Sequence, residues 1–321
     1  MLILNEKDIH HAASMSDIID AIEHAYSIYE KNEFNMPARS HVAYEHNTLL
    51  LMPCFTKSEY GTKIVSVFPE NKELPVTQGL MVLNDIENGE TKAVMNGTAL
   101  TGLRTGAIGG AAVRQLTPSG VKKAGLIGTG LQGFYQLMAA CSARDFTDIY
   151  LYNRSPEKIP AFREKIDNHF DGKINIHEAS SSEEVVGNSE VILTATTSSS
   201  PVLPNNNALY DGKTVIGVGS FQPSMREFPE ALFQACDEIY TDSREARNES
   251  GDLTQPLEQG WIEESQIMPF SKIVTGEEKW KPDENRATVF KSTGMALFDV
   301  VVSQMIYDKA LANGIGQMID W

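Results

Sequence analysis

The sequence predicts an α/β protein, in which a Rossmann doubly wound parallel sheet is joined to a smaller α+β domain. Strand and helix patterns alternate regularly after residue 118, as in parallel sheets with crossover helices. A glycine-rich turn, Gly128-x-Gly130-x-x-Gly133, follows the first of these strands. Before it, short strand patterns are joined by tight turns, which is typical of antiparallel pairing.

The predicted domains divide the chain at a turn and near its end. The smaller domain covers residues 1–118 and 300–321, and the Rossmann domain covers residues 119–299. Thr117-Pro-Ser-Gly120 is the predicted linker. A C-terminal helix over Ser292–Asn313, stopped by Gly314, is expected to return to the smaller domain and make it discontinuous.

The smaller domain begins with an amphipathic helix and continues as strands. Apolar residues recur at helical spacing over 14–30, and Ser14 with Asp17 forms an S-x-x-D start. The predicted strands are Thr48–Met52, Thr62–Val67, Gly79–Asn84 and Thr91–Val94, the last two joined by a hairpin with an Asn88-Gly89 turn.

A helix rich in glycine and alanine is predicted over 98–116. Glycine costs about 1 kcal/mol relative to alanine inside a helix. The many glycines therefore indicate close packing against another backbone or a ligand. Arg104, between Thr101 and Thr105, is the charge in this helix most in need of a partner, although a surface arginine is the alternative. Arg39 after a proline, and Lys63 within an apolar strand, are also unusually placed.

Six strands are predicted in the second domain, and their carboxyl ends form one edge where ligands of such sheets bind. They cover Ala124–Ile127, Asp148–Tyr152, Ile174–Glu178, Val191–Thr194, Thr214–Gly217 and Glu238–Thr241. This edge carries the glycine turn, 153–155, 194–198 and 217–220.

The glycine turn predicts a dinucleotide site. Gly128 permits the tight turn, Gly130 lets the backbone approach a pyrophosphate, and Gly133 lets the helix pack on the strand. After the second strand the sequence has Asn153-Arg154-Ser155 where NAD sites usually have an acidic residue. Arg154 can pair with a 2′-phosphate, so NADP(H) is preferred and NAD(H) is possible. The alternative is that Arg154 stacks on the adenine.

Composition excludes several classes of partner. The formal charge of −16 disfavours nucleic acid and anionic membranes. No apolar run approaches the roughly 20 residues of a membrane span, and the N-terminus does not read as a signal peptide. Cys54, Cys141 and Cys236 are scattered, which fits a reducing cytoplasm. The histidines show no metal-ligand spacing, so no metal site is predicted.

Several segments spread over nearly the whole chain resemble the ornithine cyclodeaminase/μ-crystallin family. They are Met36-Pro-Ala-Arg39, Leu51-Met-Pro53, Gly61-Thr-Lys63, Phe68-Pro-Glu-Asn71, Asp85–Met95, Leu100–Ala107, Gly125–Gly133, Thr194–Pro201 and Lys291-Ser-Thr-Gly294.

The resemblance implies a domain for substrate and dimer formation, a Rossmann domain for NAD(P), and hydride transfer at the α-carbon of amino acids through an imine. It implies that Arg39, Lys63 and Arg104 hold the substrate carboxylate, that Lys63 is the catalytic cation, and that the partner is a small amino or imino acid. The predicted cofactor-binding residues are Thr105, Gly128, Thr129, Gly130, Leu131, Gln132, Gly133, Asn153, Arg154, Ser155, Thr194, Ala195, Thr196, Gly217, Val218, Gly219, Ser292 and Gly294.

One residue departs from the cyclodeaminase pattern. Those enzymes carry an aspartate two residues before the proline of the loop after the fifth cofactor-domain strand, where this chain has Phe221. Phenylalanine can neither accept a proton nor pair with an ammonium. The leading hypothesis is therefore reduction of a preformed α-imino acid, with Δ1-pyrroline-2-carboxylate to L-proline as the expected substrate pair and Phe221 facing a compact side chain.

Alternative functions are a true ornithine cyclodeaminase, an alanine- or arginine-type dehydrogenase, an opine-type synthase, and an NADP-binding non-enzyme in the manner of μ-crystallin. Ammonia release from ornithine without net NADH would establish the cyclodeaminase, and a second substrate pocket would indicate the synthase.

Overall fold

The computed structural model describes residues 1–320 and divides them into two units of helices and strands. The first unit is Met1–Arg104 together with the chain from Met295 onward, and the second is Thr105–Gly294. Within the described residues, no helix combines the length and the apolar character needed to cross a membrane.

The strands and helices are numbered in chain order. The strands are β1 (Leu2–Leu4), β2 (Phe34–Asn35), β3 (Ser40–Tyr44), β4 (Asn47–Thr56), β5 (Tyr60–Val67), β6 (Thr77–Asn84), β7 (Thr91–Asn96), β8 (Lys123–Ile127), β9 (Asp148–Tyr152), β10 (Asn175–Glu178), β11 (Val191–Thr194), β12 (Thr214–Gly217), β13 (Ile239–Thr241), β14 (Ile267–Pro269), β15 (Thr288–Lys291) and β16 (Gln317–Met318). The helices are α1 (Glu6–Ala12), α2 (Met15–Glu30), α3 (Gly97–Leu116), α4 (Leu131–Ala143), α5 (Ile159–His169), α6 (Ser182–Asn188), α7 (Glu230–Ala235), α8 (Ala246–Glu249), α9 (Gly251–Glu258), α10 (Phe270–Thr275) and α11 (Ala296–Ala312).

The first unit is built on a mixed eight-stranded sheet in the order β16-β1-β7-β6-β5-β4-β2, with β3 paired to β4. Its hairpins are antiparallel, as predicted. Helix α11 packs on β4, β5 and β6 and on α2. The start of α2 confirms the predicted cap, because the Ser14 and Asp17 side chains each accept a hydrogen bond from the other's backbone N–H.

The second unit is built on a parallel eight-stranded sheet in the order β10-β9-β8-β11-β12-β15-β13-β14, which confirms the predicted doubly wound sheet. The strand order reverses beside β8, since β9 and β10 lie on one side of it and β11 and β12 on the other. In such sheets the crevice outside the carboxyl ends at this reversal is the ligand-binding place.

Two elements near the C-terminus differ from the sequence prediction. Strand β15 was not predicted, although it lies inside the sheet between β12 and β13. The last helix begins at Ala296 and not at Ser292. Residues 292–294 form a loop instead, because Gly294 takes a left-handed φ of 72° and its N–H is bound by the Asp242 carboxylate, 2.7 Å away.

The observed unit boundaries fall inside helices or at their starts. They lie at 104/105 and 294/295, whereas the sequence suggested 118/119 and 299/300. Thr117-Pro-Ser-Gly120 therefore connects α3 to β8 inside the second unit and is not a linker between units. The early boundary reflects helix α3, whose glycines from 106 onward pack on α4 of the second unit.

The glycines of α3 confirm the close packing that the sequence indicated. A Cβ on Gly106 would stand 2.5 Å from the Tyr135 carbonyl oxygen, and one on Gly109 would meet the Gln136 side chain. Gln136 Nε2 also donates to the Thr105 carbonyl at 2.7 Å. The backbones of α3 and α4 can approach this closely only because side chains are absent there.

We predict opposite effects for two helical glycine-to-alanine changes in this unit. Gly106→Ala must displace the α4 backbone and should lower the free energy of unfolding by ~1–3 kcal/mol. Gly187→Ala, in α6, meets no atom within 4 Å and should raise it by ~0.5–1 kcal/mol through helix propensity. Chemical denaturation of both variants checks this. A stabilising Gly106→Ala would contradict the packing described here.

Candidate active site

Three charged side chains meet in the interior of the first unit. Lys63 Nζ donates to Asp299 Oδ2 at 2.7 Å, and Arg104 Nε donates to Asp299 Oδ1 at 3.0 Å. The Lys63 and Asp299 side chains are 2% and 0% exposed, and that of Arg104 is 8% exposed. We call Lys63, Arg104 and Asp299 the cation cluster.

Local structure places each member. Lys63 lies on the inner face of β5, between Met52 of β4 and Met81 of β6, its partners in the sheet register. Asp299 lies in the first turn of α11, which packs on that face. Arg104 lies in α3 (Gly97–Leu116). Strand alternation and helix packing thus bring three residues that are distant in sequence onto one point.

The cation cluster carries an excess of positive charge. Two cations share one carboxylate, so the formal charge of the group is +1. One ammonium hydrogen bond of Lys63 and the Nε bond of Arg104 are used by Asp299, and within residues 1–320 no protein acceptor holds the terminal nitrogens of Arg104. A buried excess charge is costly unless an opposite charge meets it. The cluster is therefore suited to one further anion.

The environment lowers the pKa of Lys63 to about 8. Burial is the main cause, and the charges of Arg104 and Arg39 act in the same direction, whereas Asp299 raises the pKa. An ammonium with this pKa can give up a proton near neutral pH. Arg39, half-buried between β2 and β3, is thus an electrostatic neighbour of Lys63.

Asp299 was missed by the sequence analysis. It is the single charged residue in the apolar stretch 295–306. A lone carboxylate in a helix that is otherwise buried must find a charged or donating partner, and this signal could have flagged it.

The carboxyl edge of the second sheet holds the glycine turn. Gly128 has a φ of 103°, and a Cβ there would meet the Ala195 carbonyl at 2.7 Å. A Cβ on Gly133 would lie 2.2 Å from the Gly128 carbonyl oxygen, so this glycine allows α4 to pack on the turn. Gly130 has ordinary extended backbone and no atom within 4 Å of the Cβ position. Neither packing nor backbone conformation requires glycine at 130, so the space beside its backbone is open for a ligand to approach.

The same edge fits a dinucleotide phosphate. Helix α4 starts at Leu131, which is 52% exposed, with no side-chain cap on its first N–H groups. Such uncapped N–H groups bind anions. Two buried side-chain oxygens near this edge have no hydrogen-bond partner in the described part of the chain. They are Gln132 Oε1, in the first turn of α4, and Thr194 Oγ1, at the end of β11.

The segment after β9 is tied to the glycine turn. Asn153 Nδ2 donates to Thr129 Oγ1 at 2.5 Å, and Asn153 Oδ1 accepts from the Ser155 N–H at 2.9 Å. Asn153 and Ser155 are half-buried, while Arg154 is exposed. The residue after the second strand is thus the neutral Asn153, whose side chain is hydrogen-bonded to Thr129 and Ser155. The neighbouring Arg154 is exposed to solvent.

Backbone hydrogen bonds continue past the strand ends and join the loops of this edge. They run from Gly128 N–H to the Tyr152 carbonyl, from Ala195 N–H to that of Ile127, from Val218 N–H to that of Thr194, and from Ser292 N–H to that of Gly217, at 3.0–3.1 Å. Ser292 Oγ also donates to Asp242 Oδ2 at 2.5 Å. Most of the predicted cofactor residues therefore lie at this one edge of the sheet, in loops that these hydrogen bonds join to one another.

Two predicted site residues remain, one away from this edge and one in a loop at it. Thr105 belongs to α3, where its carbonyl binds Gln136. Phe221 lies in the loop after β12 and is 42% exposed.

A second buried carboxylate, Glu227, was missed by the sequence analysis. It binds the loops after β11 and β12, and nothing in the sequence near it signals that role.

The fold and the two sites define a class: a protein with a Rossmann dinucleotide edge and a buried cation cluster suited to a small anion. The chain matches the ornithine cyclodeaminase/mu-crystallin family over residues 1–314. It belongs to this family, which confirms the resemblance noted from its sequence.

Individual relatives match over the full length. A Delta(1)-pyrroline-2-carboxylate reductase of Bacillus cereus is 32% identical over 329 residues, covering 100% of both chains. The structure of the Thermococcus litoralis Delta(1)-pyrroline-2-carboxylate reductase in complex with NADH and L-proline superposes with a TM-score of 0.92 at 31% identity, covering 99% of this chain and 100% of that one. An archaeal alanine dehydrogenase dimer with bound NAD gives a TM-score of 0.90 at 27% identity, covering 100% and 99%.

Proposed function

We propose that the chain reduces α-imino acids with NAD(P)H, and that Δ1-pyrroline-2-carboxylate going to L-proline is its substrate pair. The observation that carries this proposal is the cation cluster, whose buried +1 charge calls for one carboxylate. The reductases of Bacillus cereus and Thermococcus litoralis support the choice of substrate by their similarity over the whole chain.

The residues of the cluster have separate roles. The terminal nitrogens of Arg104 bind the substrate carboxylate. Asp299 holds Nε, which orients the guanidinium so that its terminal nitrogens face the ligand. Arg39 adds positive charge. Fixing the carboxylate fixes the adjacent imine carbon, which lowers the entropic barrier to reaction.

Reduction of the C=N bond requires one hydride on carbon and one proton on nitrogen. When bound, the reduced nicotinamide supplies the hydride. Lys63 donates the proton, directly or through a water molecule, and its lowered pKa suits it to that step. Phe221 offers no base to activate water, which disfavours the deamination of a cyclodeaminase.

The test is a panel of cyclic imino acids, α-keto acids with ammonia, and ornithine, each supplied with NADH and with NADPH. We predict reduction of the cyclic imino acids, and a loss of about 10²–10⁴-fold in rate for Lys63→Ala, because a general acid contributes that much. Lys57→Ala, at an exposed lysine in the turn between β4 and β5, is the control and should keep the rate. Ammonia release from ornithine, or no coenzyme oxidation with any imine, would sink the proposal.

The pH dependence follows from the same group. The Lys63 ammonium is the active form, so kcat/KM is retained below pH 8 and falls as the pH rises through about 8. In Lys63→Arg the guanidinium stays charged, and this alkaline fall should disappear from whatever activity remains.

We further propose that NADPH is accepted and preferred. The neutral Asn153 does not repel a 2′-phosphate, and the exposed Arg154 is free to meet one. The reductase of Thermococcus litoralis binds NADH and the archaeal alanine dehydrogenase binds NAD, so we retain NADH as the second coenzyme.

Arg154→Ala should therefore lower kcat/KM for NADPH by roughly tenfold or more, the worth of one charged hydrogen bond, and leave NADH within about twofold. Lys158→Ala removes another exposed cation close by and should change neither. Equal loss with both coenzymes would indicate instead that Arg154 contacts the adenine.

We propose a homodimer formed through the outer face of the first sheet. Val42, Tyr44, Leu49, Phe55 and Leu80 on this sheet are 37–74% exposed. The inner face of the same strands is already covered by α11, so both faces of the sheet are apolar. Exposed apolar patches of this kind mark protein interfaces. The archaeal alanine dehydrogenase, a dimer, supports the proposal.

Sedimentation equilibrium should give twice the mass of one chain. Leu80→Glu, on β6 in this apolar face, should shift the protein to monomer. The matched control is Leu311→Glu on α11, a leucine of similar exposure that lies outside this face and should leave the dimer intact. A wild-type monomer at micromolar concentration would contradict the proposal.

A further inference from the structure

Glu227 is a buried carboxylate that joins two loops at the carboxyl edge of the second sheet. Its Oε1 accepts hydrogen bonds from the Thr196 N–H at 2.7 Å and from Thr196 Oγ1 at 2.9 Å. Its Oε2 accepts from the Gly219 N–H at 2.9 Å. The side chain is fully buried. One carboxylate thus holds the loop after β11 and the loop after β12.

Two further buried charges hold Glu227 in place. Asp252 Oδ1 accepts from the backbone N–H groups of Glu227 and Phe228 at 2.6 and 2.8 Å. The Lys291 ammonium lies 3.0 Å from Asp252 Oδ2 and 3.9 Å from Glu227 Oε2, and both Lys291 and Asp252 are fully buried. Burial raises the pKa of the Glu227 carboxyl, and the Lys291 charge acts against that rise.

The loops that Glu227 joins are in direct contact. A Cβ on Gly219 would lie 2.1 Å from the Thr196 carbonyl oxygen and 2.6 Å from Glu227 Oε1. Only glycine permits this approach. Any loss of the carboxylate bridge leaves the Thr196 and Gly219 N–H groups without their acceptor, so the loops must move to find other partners.

Strand order assigns these loops to one half of a dinucleotide site. In a doubly wound sheet the first, second and third strands hold one mononucleotide, and the fourth, fifth and sixth hold the other. The glycine turn follows β8, and β9 with β10 completes the adenosine side. The loops after β11 and β12 therefore belong to the nicotinamide side.

We propose that Glu227 is a positioning residue that sets the nicotinamide half of the coenzyme site while leaving the adenosine half unaffected. This inference rests on the proposed function, because it takes the edge to bind NAD(P)H. Glu227 acts through the Thr196 and Gly219 backbone and does not itself contact the coenzyme.

Glu227→Gln tests the role of the second acceptor. The amide replaces one carboxylate oxygen by an NH₂ group, so a donor faces either Thr196 or Gly219. Glu227→Asp keeps the charge beside Lys291 but is one methylene shorter, so its carboxylate cannot span both loops. This second variant carries the test if the glutamine variant does not fold.

The measurement compares a whole coenzyme with a fragment. NADH binding is followed by its fluorescence, and 5′-AMP, which occupies the adenosine half alone, is titrated by calorimetry. In both Glu227 variants we expect the Kd for NADH to rise about tenfold or more, as for the loss of a hydrogen bond to a charged group, and the Kd for 5′-AMP to stay within about twofold. The KM for NADH should rise while that for the imino acid does not.

Val186→Ala, which leaves a cavity where α6 packs on the core, is the matched control for lost stability. It should lower the melting temperature and leave the ratio of the two Kd values unchanged. Equal weakening of NADH and 5′-AMP in the Glu227 variants, or unchanged NADH affinity, overturns the inference. Wild-type protein that binds neither ligand overturns the proposed function and removes the basis of the inference, an outcome distinct from the other two.

Discussion

The first unit depends on the cost of burying charge. Lys63 and Arg104 lie in an interior formed by apolar strands and helices, and Asp299 neutralises one of the two cations. Removing either partner of a buried ion pair typically costs about 3–5 kcal/mol, which ties β5, α3 and α11 to one another. The remaining charge cannot be neutralised from within the cluster. The same three residues thus tie the packing together and leave one buried positive charge in excess.

The second unit has a buried cluster whose excess charge is of the opposite sign. Glu227, Asp252 and Lys291 together carry a formal charge of −1. Here the excess is met by backbone N–H donors of Thr196, Gly219, Glu227 and Phe228. Because these donors belong to the two loops, this cluster holds the loops together.

The sequence was sufficient for the features that depend on local pattern. The glycine turn, the alternation of strands and helices, and Lys63 within an apolar strand could all be read from neighbouring residues. Glu227 could not. Asp299 stands out as a lone carboxylate in an apolar stretch, but its partner could not be identified, because the partners are distant: Lys63 is 236 residues from Asp299 and Glu227 is 31 from Thr196. Strand β15 was missed for a related reason. It is short, and its neighbours β12 and β13 precede it in sequence, so only tertiary pairing defines it.

The chemistry left open by the clusters is limited by the loop that Glu227 fixes. Gly219, whose N–H is held by the Glu227 carboxylate, lies two residues before Phe221. A carboxylate at that position could take a proton from water, and deamination requires such a base. An aromatic ring cannot take a proton from water, but it can contact an apolar substrate side chain. Under the proposed function, the cation cluster binds the carboxylate, which every amino acid and imino acid has. Under the proposed function, substrate selection therefore rests on residues outside the cluster, and the lack of a base at Phe221 favours substrates that arrive already as imines.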